Sequence, residues 1–250
     1  MVDAHFADRR LAAIYDWLEG ERDDLDAYVA VVDEFDARVV LDVSCGTGTF
    51  ACLLAARGLD VTGVDPAAAS LEIARRKPGA DAVRWILGDA AMLPSLHADL
   101  ATMTGNVAQV FLTDADWLAT LRGIGAALRP RGRLVFETRD PARRAWLEWN
   151  RAQSYQETDV PGAGTVKSWH DVLEVSEPLV TFRSSFVFAA DGATITSDSM
   201  LRFRSREEVE RSLGEAGYLL EDVRDAPDRP GRELVFVARV AGLGDPAPRG

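Results

Sequence analysis

The sequence has little of what several classes of protein require. No apolar run approaches the ~20 residues that a membrane-spanning helix needs. Only two cysteines occur, Cys45 and Cys52, and their spacing fits neither a zinc site nor a redox pair. We therefore expect a protein with no membrane span and no metal site, kept in a reducing compartment.

Positive charge is also scarce. The chain carries 28 Lys and Arg against 40 Asp and Glu, which gives a formal net charge of −12. A negative field repels phosphate backbones and so disfavours a nucleic-acid partner. The first residues are polar and charged and lack the apolar core of a signal peptide. These features favour a cytoplasmic protein that acts on a small molecule, as a monomer or a homodimer.

What the sequence does contain is an alternation of short apolar runs and helical patterns. The runs predict five strands, over 38–43, 60–64, 83–87, 98–103 and 133–137. Two more strands, near 218–223 and 233–240, follow a capping box that begins at Ser205. This pattern predicts an α/β fold with a Rossmann-like, doubly wound, mostly parallel seven-stranded sheet and helices on both faces.

The pattern changes between the fifth and sixth of these strands. Residues 140–149 favour a helix, and the polar, glycine-containing stretch 151–164 favours a mobile loop. Three segments of period two follow, in the first of which Trp169, Leu173 and Val175 are expected to share one face. The sequence therefore predicts an antiparallel β meander inserted after strand five.

The most specific motif is the string from Leu41 to Phe50, which reads LDVSCGTGTF. It runs from a strand into a turn with two glycines and then into a helix. Glycine lets the backbone approach a ligand closely, and the helix N-terminus offers free N–H donors to a polar or anionic group. A turn that needs glycine for its conformation alone is the alternative.

Two classes of cofactor fit this string. Residues 46–51 match the dinucleotide fingerprint G-x-G-x-x-A with Asp65 ~20 residues further on, as in NAD-linked oxidoreductases. Three features favour the other class: Asp42 inside an apolar strand, Gly88-Asp89-Ala90 after strand three and Thr104-Gly105-Asn106 after strand four. A carboxylate in a strand interior is costly unless paired, so we expect Asp42 to organise N–H groups of the loop.

Over roughly residues 10–150 these ordered motifs resemble class I S-adenosylmethionine-dependent methyltransferases of the small-molecule type. The first motif of that family reads D-x-G-x-G-x-G, and Ser44 replaces its first glycine here. The resemblance implies S-adenosylmethionine as methyl donor, S-adenosylhomocysteine as product, and a small-molecule acceptor methylated on N or O by in-line displacement. The cofactor-binding residues that it implies are Asp42, Ser44, Cys45, Gly46, Thr47, Gly48, Asp65, Pro66, Gly88, Asp89, Ala90, Thr104 and Gly105.

Four residues receive roles from this resemblance. Asp65 resembles the residue that binds the adenosine ribose, and Asp89 the residue that receives the adenine amino group, although either could simply cap a helix. Tyr15 and Arg22 resemble an aromatic and a basic residue that fold over the cofactor. In that role Tyr15 would close the methyl-donor pocket and Arg22 would pair with the methionine carboxylate. A packed aromatic and a solvated arginine are the alternatives.

The acceptor pocket is predicted from the strand ends. Ligands of open α/β sheets bind beyond the carboxyl ends of the strands, where strands four and five are followed by Asn106, Gln109, Glu137 and Arg139. The inserted meander leaves the sheet at the same end, so it can cover the site. This makes His170 a candidate general base, with a surface histidine as the alternative.

These assignments divide the chain into three parts. Residues 1–150 and 204–240 form the expected S-adenosylmethionine-binding core, residues 151–203 a β-rich lid over the substrate, and residues 241–250 a flexible tail. Two other functions stay open: an NAD-linked oxidoreductase, and a protein that binds S-adenosylmethionine without catalysis. The departure at Ser44 is the reason to retain the second.

Overall fold

Seven strands form the central sheet of the computed structural model, which describes residues 3–242 and residue 245. They are β1 (Val39–Val43), β2 (Asp60–Asp65), β3 (Val83–Leu87), β4 (Ala98–Met103), β5 (Leu128–Arg139), β10 (Tyr218–Asp225) and β11 (Glu233–Val240). Their order is β10-β11-β5-β4-β1-β2-β3, and only the pairs that involve β11 are antiparallel among these described strands. The predicted mostly parallel seven-stranded sheet is confirmed.

Helices cover both faces of this sheet. The α-helices of the described chain are α1 (Ala4–Ala7), α2 (Arg9–Glu19), α3 (Asp24–Glu34), α4 (Thr49–Ala56), α5 (Ala68–Ala74), α6 (Asp114–Ala127), α7 (Arg151–Ser154) and α8 (Arg206–Glu215). Because side chains alternate along a strand, Val40 and Val135 pack with α3 and α4, whereas Leu41 and Phe136 pack with α6 and α8. Over the described residues, no helix combines the length and the apolar character that crossing a bilayer requires.

The insertion after β5 forms a second sheet, which we call the roof sheet. Its strands are β6 (Gln156–Val160), β7 (Gly164–Ser176), β8 (Leu179–Phe188) and β9 (Thr194–Arg202), each antiparallel to the next. The predicted inserted meander is confirmed, with β6 as a strand that the sequence pattern did not predict.

Two segments near the start of the insertion differ from expectation. Residues 151–164 are not a loop, because Asn150 caps α7 by accepting the N–H of Gln153 and β6 then pairs along its whole length with β7. Residues 140–149 are not an α-helix but two 3₁₀ turns, 141–143 and 145–148. Arg144 separates the turns with a φ of +45°, which no α-helix can continue through.

The expected shared face of β7 is also wrong. A β-bulge between Val172 and Glu174 shifts the register with β8, so that Trp169 opposes Ser185 while Val175 opposes Val180. Ser185 and Val180 are five positions apart along β8 and so point to opposite faces of the sheet. Their partners Trp169 and Val175 therefore also lie on opposite faces. His170, next to Trp169, lies on the face that carries Val175.

The first two helices form an arm that joins the roof sheet to the core. Leu11 and Ile14 of α2 are buried in one cluster with Val166 and Phe186 of the roof sheet. Of the tail expected over 241–250, residues 243–244 and 246–250 lie outside the described residues.

Candidate active site

The glycine-rich loop between β1 and α4 has three residues in the left-handed region. Ser44, Gly46 and Gly48 have φ values of +54°, +55° and +76°. A Cβ on Gly48 would lie 2.4 Å from the ring of Trp85, whereas a Cβ on Gly46 would have no neighbour within 4 Å. Gly48 is thus required by packing, and Gly46 leaves the backbone open to a ligand.

Asp65, at the end of β2, holds this loop. Its Oδ2 accepts the N–H of Gly46 at 2.8 Å, and its Oδ1 accepts the N–H of Ala67, after Pro66, at 2.7 Å. The side chain is buried, and burial raises the pKa of this carboxyl. Each oxygen has a further lone pair, so the group can still accept hydrogen bonds from hydroxyls of a ligand.

Asp42 lies in the interior of β1 and is 1% exposed. Burial, and then the charge of Asp65, raises its pKa to about 7. The groups that stabilise its charged form are the hydroxyl of Thr102, at 3.5 Å, the charge of Arg22 and the backbone N–H of Ala51 in α4. Asp42 therefore ties β1 to β4 and to the helix that follows the loop, rather than to the loop itself.

The motif after β3 lies beside Asp65. The N–H of Gly88 donates to the backbone oxygen of Asp65 at 3.1 Å. Asp89 is exposed and uses Oδ1 to accept the N–H of Ala91, and Ala90 is buried. The loops after β1, β2 and β3 are thus brought together at one end of the sheet, as expected from the sequence.

A group of polar side chains fastens α2 to the glycine-rich loop, and we call it the arm lock. The Asp16 carboxylate accepts the Thr47 hydroxyl at 2.6 Å and the Thr49 hydroxyl at 3.2 Å, and pairs with the Lys77 ammonium at 2.7 Å. Lys77 also donates to Thr49. Sequence reasoning missed this lock, since its members are distant along the chain and no local pattern marks them.

Tyr15 and Arg22 lie at the expected end of the molecule. Tyr15 is half-buried, with its ring centroid 5.4 Å from that of His5, and burial raises its pKa. The Arg22 guanidinium donates two hydrogen bonds of 2.8 Å to Asp24. Two of its nitrogens are thus engaged within the chain.

Buried polar groups cluster at the carboxyl ends of β4 and β5. Glu137 is 4% exposed and its Oε1 accepts the N–H of Asn106 at 2.7 Å. The Asn106 side chain donates through Nδ2 to Glu233 at 2.9 Å. Burial raises the pKa of Glu137 to about 8, although the N–H groups of Asn106 and Gly105 favour its charged form. Gly105 is exposed with a φ of +79°, and Thr104 before it is half-buried.

Gln109 and Arg139 complete this cluster. Arg139 Nη1 donates to Gln109 Oε1 at 2.8 Å, and its guanidinium lies over the ring of Trp149 at 5.5 Å. Arg139 also lies 3.9 Å from Glu233. Its ion-pair partner is thus Glu233.

His170 faces the same region from the roof sheet. Its Nδ1 lies 2.9 Å from the hydroxyl of Ser184, while burial and the charge of Arg139 lower its pKa. His5, next to α2, packs against Phe186 and Tyr15. Burial, with a smaller contribution from His170, lowers the pKa of His5 to about 4, so its ring is neutral near pH 7.

The arrangement has two halves at one edge of the sheet. The ends of β1, β2 and β3 present an open backbone at Gly46 with the carboxylates of Asp65 and Asp89. The ends of β4 and β5 present buried polar side chains beneath the roof sheet. Open α/β sheets bind their ligands in this position.

Comparison with known proteins agrees with this geometry. A family model described as "Methyltransferase domain" matches residues 40–132. A cypemycin N-terminal methyltransferase from Streptomyces sp is 34% identical over 117 residues, which cover 46% of this chain and 48% of that protein. The matches span less than half the length of each curated relative.

Two solved structures have the same fold over nearly their whole length. The CcbJ methyltransferase from Streptomyces caelestis has a TM-score of 0.76 at 21% identity and covers 93% of this chain and 96% of its own. The S-adenosylmethionine-bound amino pentose methyltransferase CalS10 from Micromonospora echinaspora has a TM-score of 0.67 at 24% identity, covering 89% and 93%. The family match and this fold together confirm the resemblance to the class I S-adenosylmethionine-dependent methyltransferases.

Proposed function

We propose that this protein transfers a methyl group from S-adenosylmethionine to a nitrogen or oxygen atom of a small molecule. The observation that carries the proposal is the meeting of two features at one sheet edge. Gly46 offers open backbone within a loop held by Asp65, and a buried polar cluster around Glu137 lies beside it. The first suits a nucleoside cofactor and the second suits a polar acceptor.

The residues present fit S-adenosylmethionine. Asp65 retains lone pairs for ribose hydroxyls, and the Oδ2 of the exposed Asp89 is available to an exocyclic amino group. The loop gives way directly to the N-terminus of α4, where free N–H groups favour a carboxylate. Ser44 adopts the left-handed conformation of the glycine that it replaces, so the loop keeps its course.

The chemistry requires alignment more than acid or base strength. When bound, S-adenosylmethionine supplies a methyl group that the acceptor lone pair takes from sulfur, the S–C bond breaking with its electron pair left on sulfur. Glu137, Asn106 and Gln109 bind and orient the acceptor, and the roof sheet excludes water from it. An amine gains a positive charge on methylation, and His170 takes the proton that the amine then releases.

The first experiment compares cofactors. S-adenosylhomocysteine and NAD are each titrated into the protein by isothermal calorimetry. We expect saturable binding of S-adenosylhomocysteine and none of NAD, since buried Asp42 and the motif at Asp89 favour the former. Binding of NAD alone would overturn the proposal in favour of an oxidoreductase.

The second experiment tests catalysis. The protein is incubated with methyl-labelled S-adenosylmethionine and a library of amines, alcohols and phenols, and label in the acceptor is measured. Transfer to at least one acceptor is expected. Cofactor binding without transfer to any of them would favour the non-catalytic alternative.

A further inference from the structure

Three buried polar atoms at the ends of β4 and β5 lack hydrogen-bond partners. They are Asn106 Oδ1, Gln109 Nε2 and Glu137 Oε2, and no polar atom of the described chain satisfies them. Their side chains are 3%, 0% and 4% exposed. A buried polar group without a hydrogen-bond partner is costly, so three in one cluster indicate a ligand that satisfies them.

The chemical identity of the two amide atoms is set by their charged neighbours. Glu233 can accept hydrogen bonds from the Asn106 amide at 2.9 Å, so the atom facing it is the nitrogen and the free atom is Oδ1. Arg139 can only donate, at 2.8 Å, so the Gln109 atom facing it is the oxygen and the free atom is Nε2. These assignments follow from donor and acceptor capacity alone.

The orientation of Glu137 is fixed in the same way. Its Oε1 accepts the backbone N–H of Asn106 at 2.7 Å, which leaves Oε2 free. When Glu137 is ionised, the three atoms therefore offer two acceptors, from Glu137 and Asn106, and one donor, from Gln109. The turn that carries Gln109 lies beneath β9, and Arg204 next to that strand donates to the backbone oxygen of Ala108 at 3.4 Å.

We propose that the methyl acceptor is an amino alcohol whose amine binds Glu137 and Asn106 and whose hydroxyl oxygen accepts from Gln109. An amine supplies the two donors that Glu137 Oε2 and Asn106 Oδ1 require. The neighbouring hydroxyl supplies the acceptor that Gln109 Nε2 requires. A phenol has a single oxygen, which cannot satisfy all three atoms. A carboxylate has no hydrogen-bond donor for the two acceptors. This assignment rests on the proposed function and names its substrate class.

Binding of the amine changes the proton content of the site. Burial raises the pKa of Glu137 to about 8, so near pH 7 the free carboxyl is protonated, and a free alkylamine is protonated too. In the bound pair an ammonium donates to Oε2 of the ionised Glu137 and to Asn106 Oδ1, and the carboxyl proton leaves to solvent with the O–H electron pair remaining on oxygen. The ammonium then releases one further proton to solvent before methyl transfer, and the N–H electron pair becomes the lone pair that takes the methyl group. The charged neighbours in the described chain are Glu233, Arg139 and Arg229, and Arg229 donates to Glu233 at 2.9 Å.

The test uses ligands on one ring. Protein saturated with S-adenosylhomocysteine is titrated with aminocyclohexanol, cyclohexylamine, cyclohexanol and catechol by calorimetry at pH 7. We expect aminocyclohexanol to bind at least about tenfold more tightly than each of the others, because only it satisfies both the acceptors and the donor. Titration in buffers of different ionisation enthalpy should show release of about one proton.

A variant tests the role of Glu137 itself. In Glu137→Gln, Oε1 still accepts from Asn106, and Nε2 takes the place of Oε2, so a donor faces the amine. We expect aminocyclohexanol affinity to fall at least about tenfold, proton release to vanish, and S-adenosylhomocysteine affinity to stay within about twofold. Glu174→Gln, the same change on an exposed residue of β7, is the matched control.

The outcomes separate the two proposals. Tighter binding of catechol, equal binding of cyclohexylamine, or no saturable binding of aminocyclohexanol would each overturn the amino alcohol assignment while S-adenosylhomocysteine still binds. Failure of the unmodified protein to bind S-adenosylhomocysteine would instead overturn the proposed function. If Glu137→Gln does not fold, the four ligands still decide the matter on the unmodified protein.

Discussion

The Asp65 carboxylate accepts the backbone N–H of Gly46 at 2.8 Å, across 19 positions of the chain. One carboxylate thus shapes the glycine-rich loop and, in the function we propose, also accepts the ribose hydroxyls of the cofactor. Substitution of Asp65 by alanine removes both the loop bond and the hydroxyl acceptor. We expect the Kd for S-adenosylhomocysteine, measured by calorimetry, to rise at least about tenfold.

The matched control for this substitution is Asp60→Ala, at the exposed opposite end of the same strand. Its affinity should equal that of the unmodified protein. An unchanged Kd in Asp65→Ala would remove Asp65 from the cofactor site and leave it as a helix cap.

The arm lock should couple the N-terminal arm to cofactor binding. Asp16 and Lys77 are 2.7 Å apart and both partly buried. A double-mutant cycle with Asp16→Asn and Lys77→Met should give a coupling of at least about 0.5 kcal/mol in S-adenosylhomocysteine binding. Hydrogen exchange in α2 should also accelerate in each single variant.

The exposed pair of Arg9 with Glu72 provides the control for this cycle. It joins the same arm to α5 at 3.0 Å but lies in solvent, where such pairs contribute little. A cycle of Arg9→Gln and Glu72→Gln should give no measurable coupling. Equal coupling energies in both cycles would show that any contact between the arm and the core affects cofactor binding, and that the arm lock has no particular role.

Ser44 should carry backbone strain. A non-glycine residue at a φ of +54° destabilises the folded state by roughly 1–2 kcal/mol. Glycine avoids this cost, but its greater freedom in the unfolded chain offsets part of the gain. Ser44→Gly should therefore raise the Tm by about 1–4 °C by calorimetry, with cofactor affinity retained. Ser44→Ala keeps the Cβ and should give no such increase; a rise in both would refute the strain.

Glu137 should make stability fall as pH rises. Its pKa in the folded protein is about 8 against 4.5 when unfolded, so the folded state holds the proton more tightly between these values. The free energy of unfolding then decreases across that window. Glu137→Gln removes this dependence. The difference in Tm, variant minus unmodified protein, should therefore be at least about 3 °C larger at pH 8 than at pH 5.

Glu174→Gln again serves as control, and its Tm difference from the unmodified protein should stay constant with pH. A constant difference in Glu137→Gln would mean that the Glu137 carboxyl is ionised throughout.

His170 should contribute to turnover rather than to cofactor binding. In His170→Gln we expect kcat to fall at least about tenfold with S-adenosylhomocysteine affinity unchanged, because the proposed role of the ring is to take a proton from the acceptor and not to bind the cofactor. His97→Gln, on an exposed loop, is the control. Full turnover in His170→Gln would leave His170 as a structural partner of Ser184.

The sheet could be predicted from the sequence because its signals are local. The bounds of β3 and β4 agree with the predicted runs to the residue, since each run is apolar and closed by turn residues. The extent of β5 could not be predicted. The strand begins at Leu128 and includes Pro130, a residue type that commonly ends a helix. Its pairing with β4 contains a register shift, which depends on the neighbouring strand and not on the local sequence.

The residues of the candidate site could be predicted where a local sequence motif contains them, but not where tertiary packing brings distant residues together. Gly46, Asp65 and Asp89 follow from position along the chain. The requirement for glycine at position 48 depends on Trp85, 37 positions later, whose ring occupies the space a Cβ would need. The lock between Asp16 and Lys77 likewise depends on tertiary contacts that no local spacing reveals.

The arm of α1 and α2 touches both halves of the site at once. Asp16 fastens it to the glycine-rich loop, and Leu11 and Ile14 bury it against the roof sheet. The two attachments belong to one short helix, so a displacement of the arm would disturb both halves of the proposed site together.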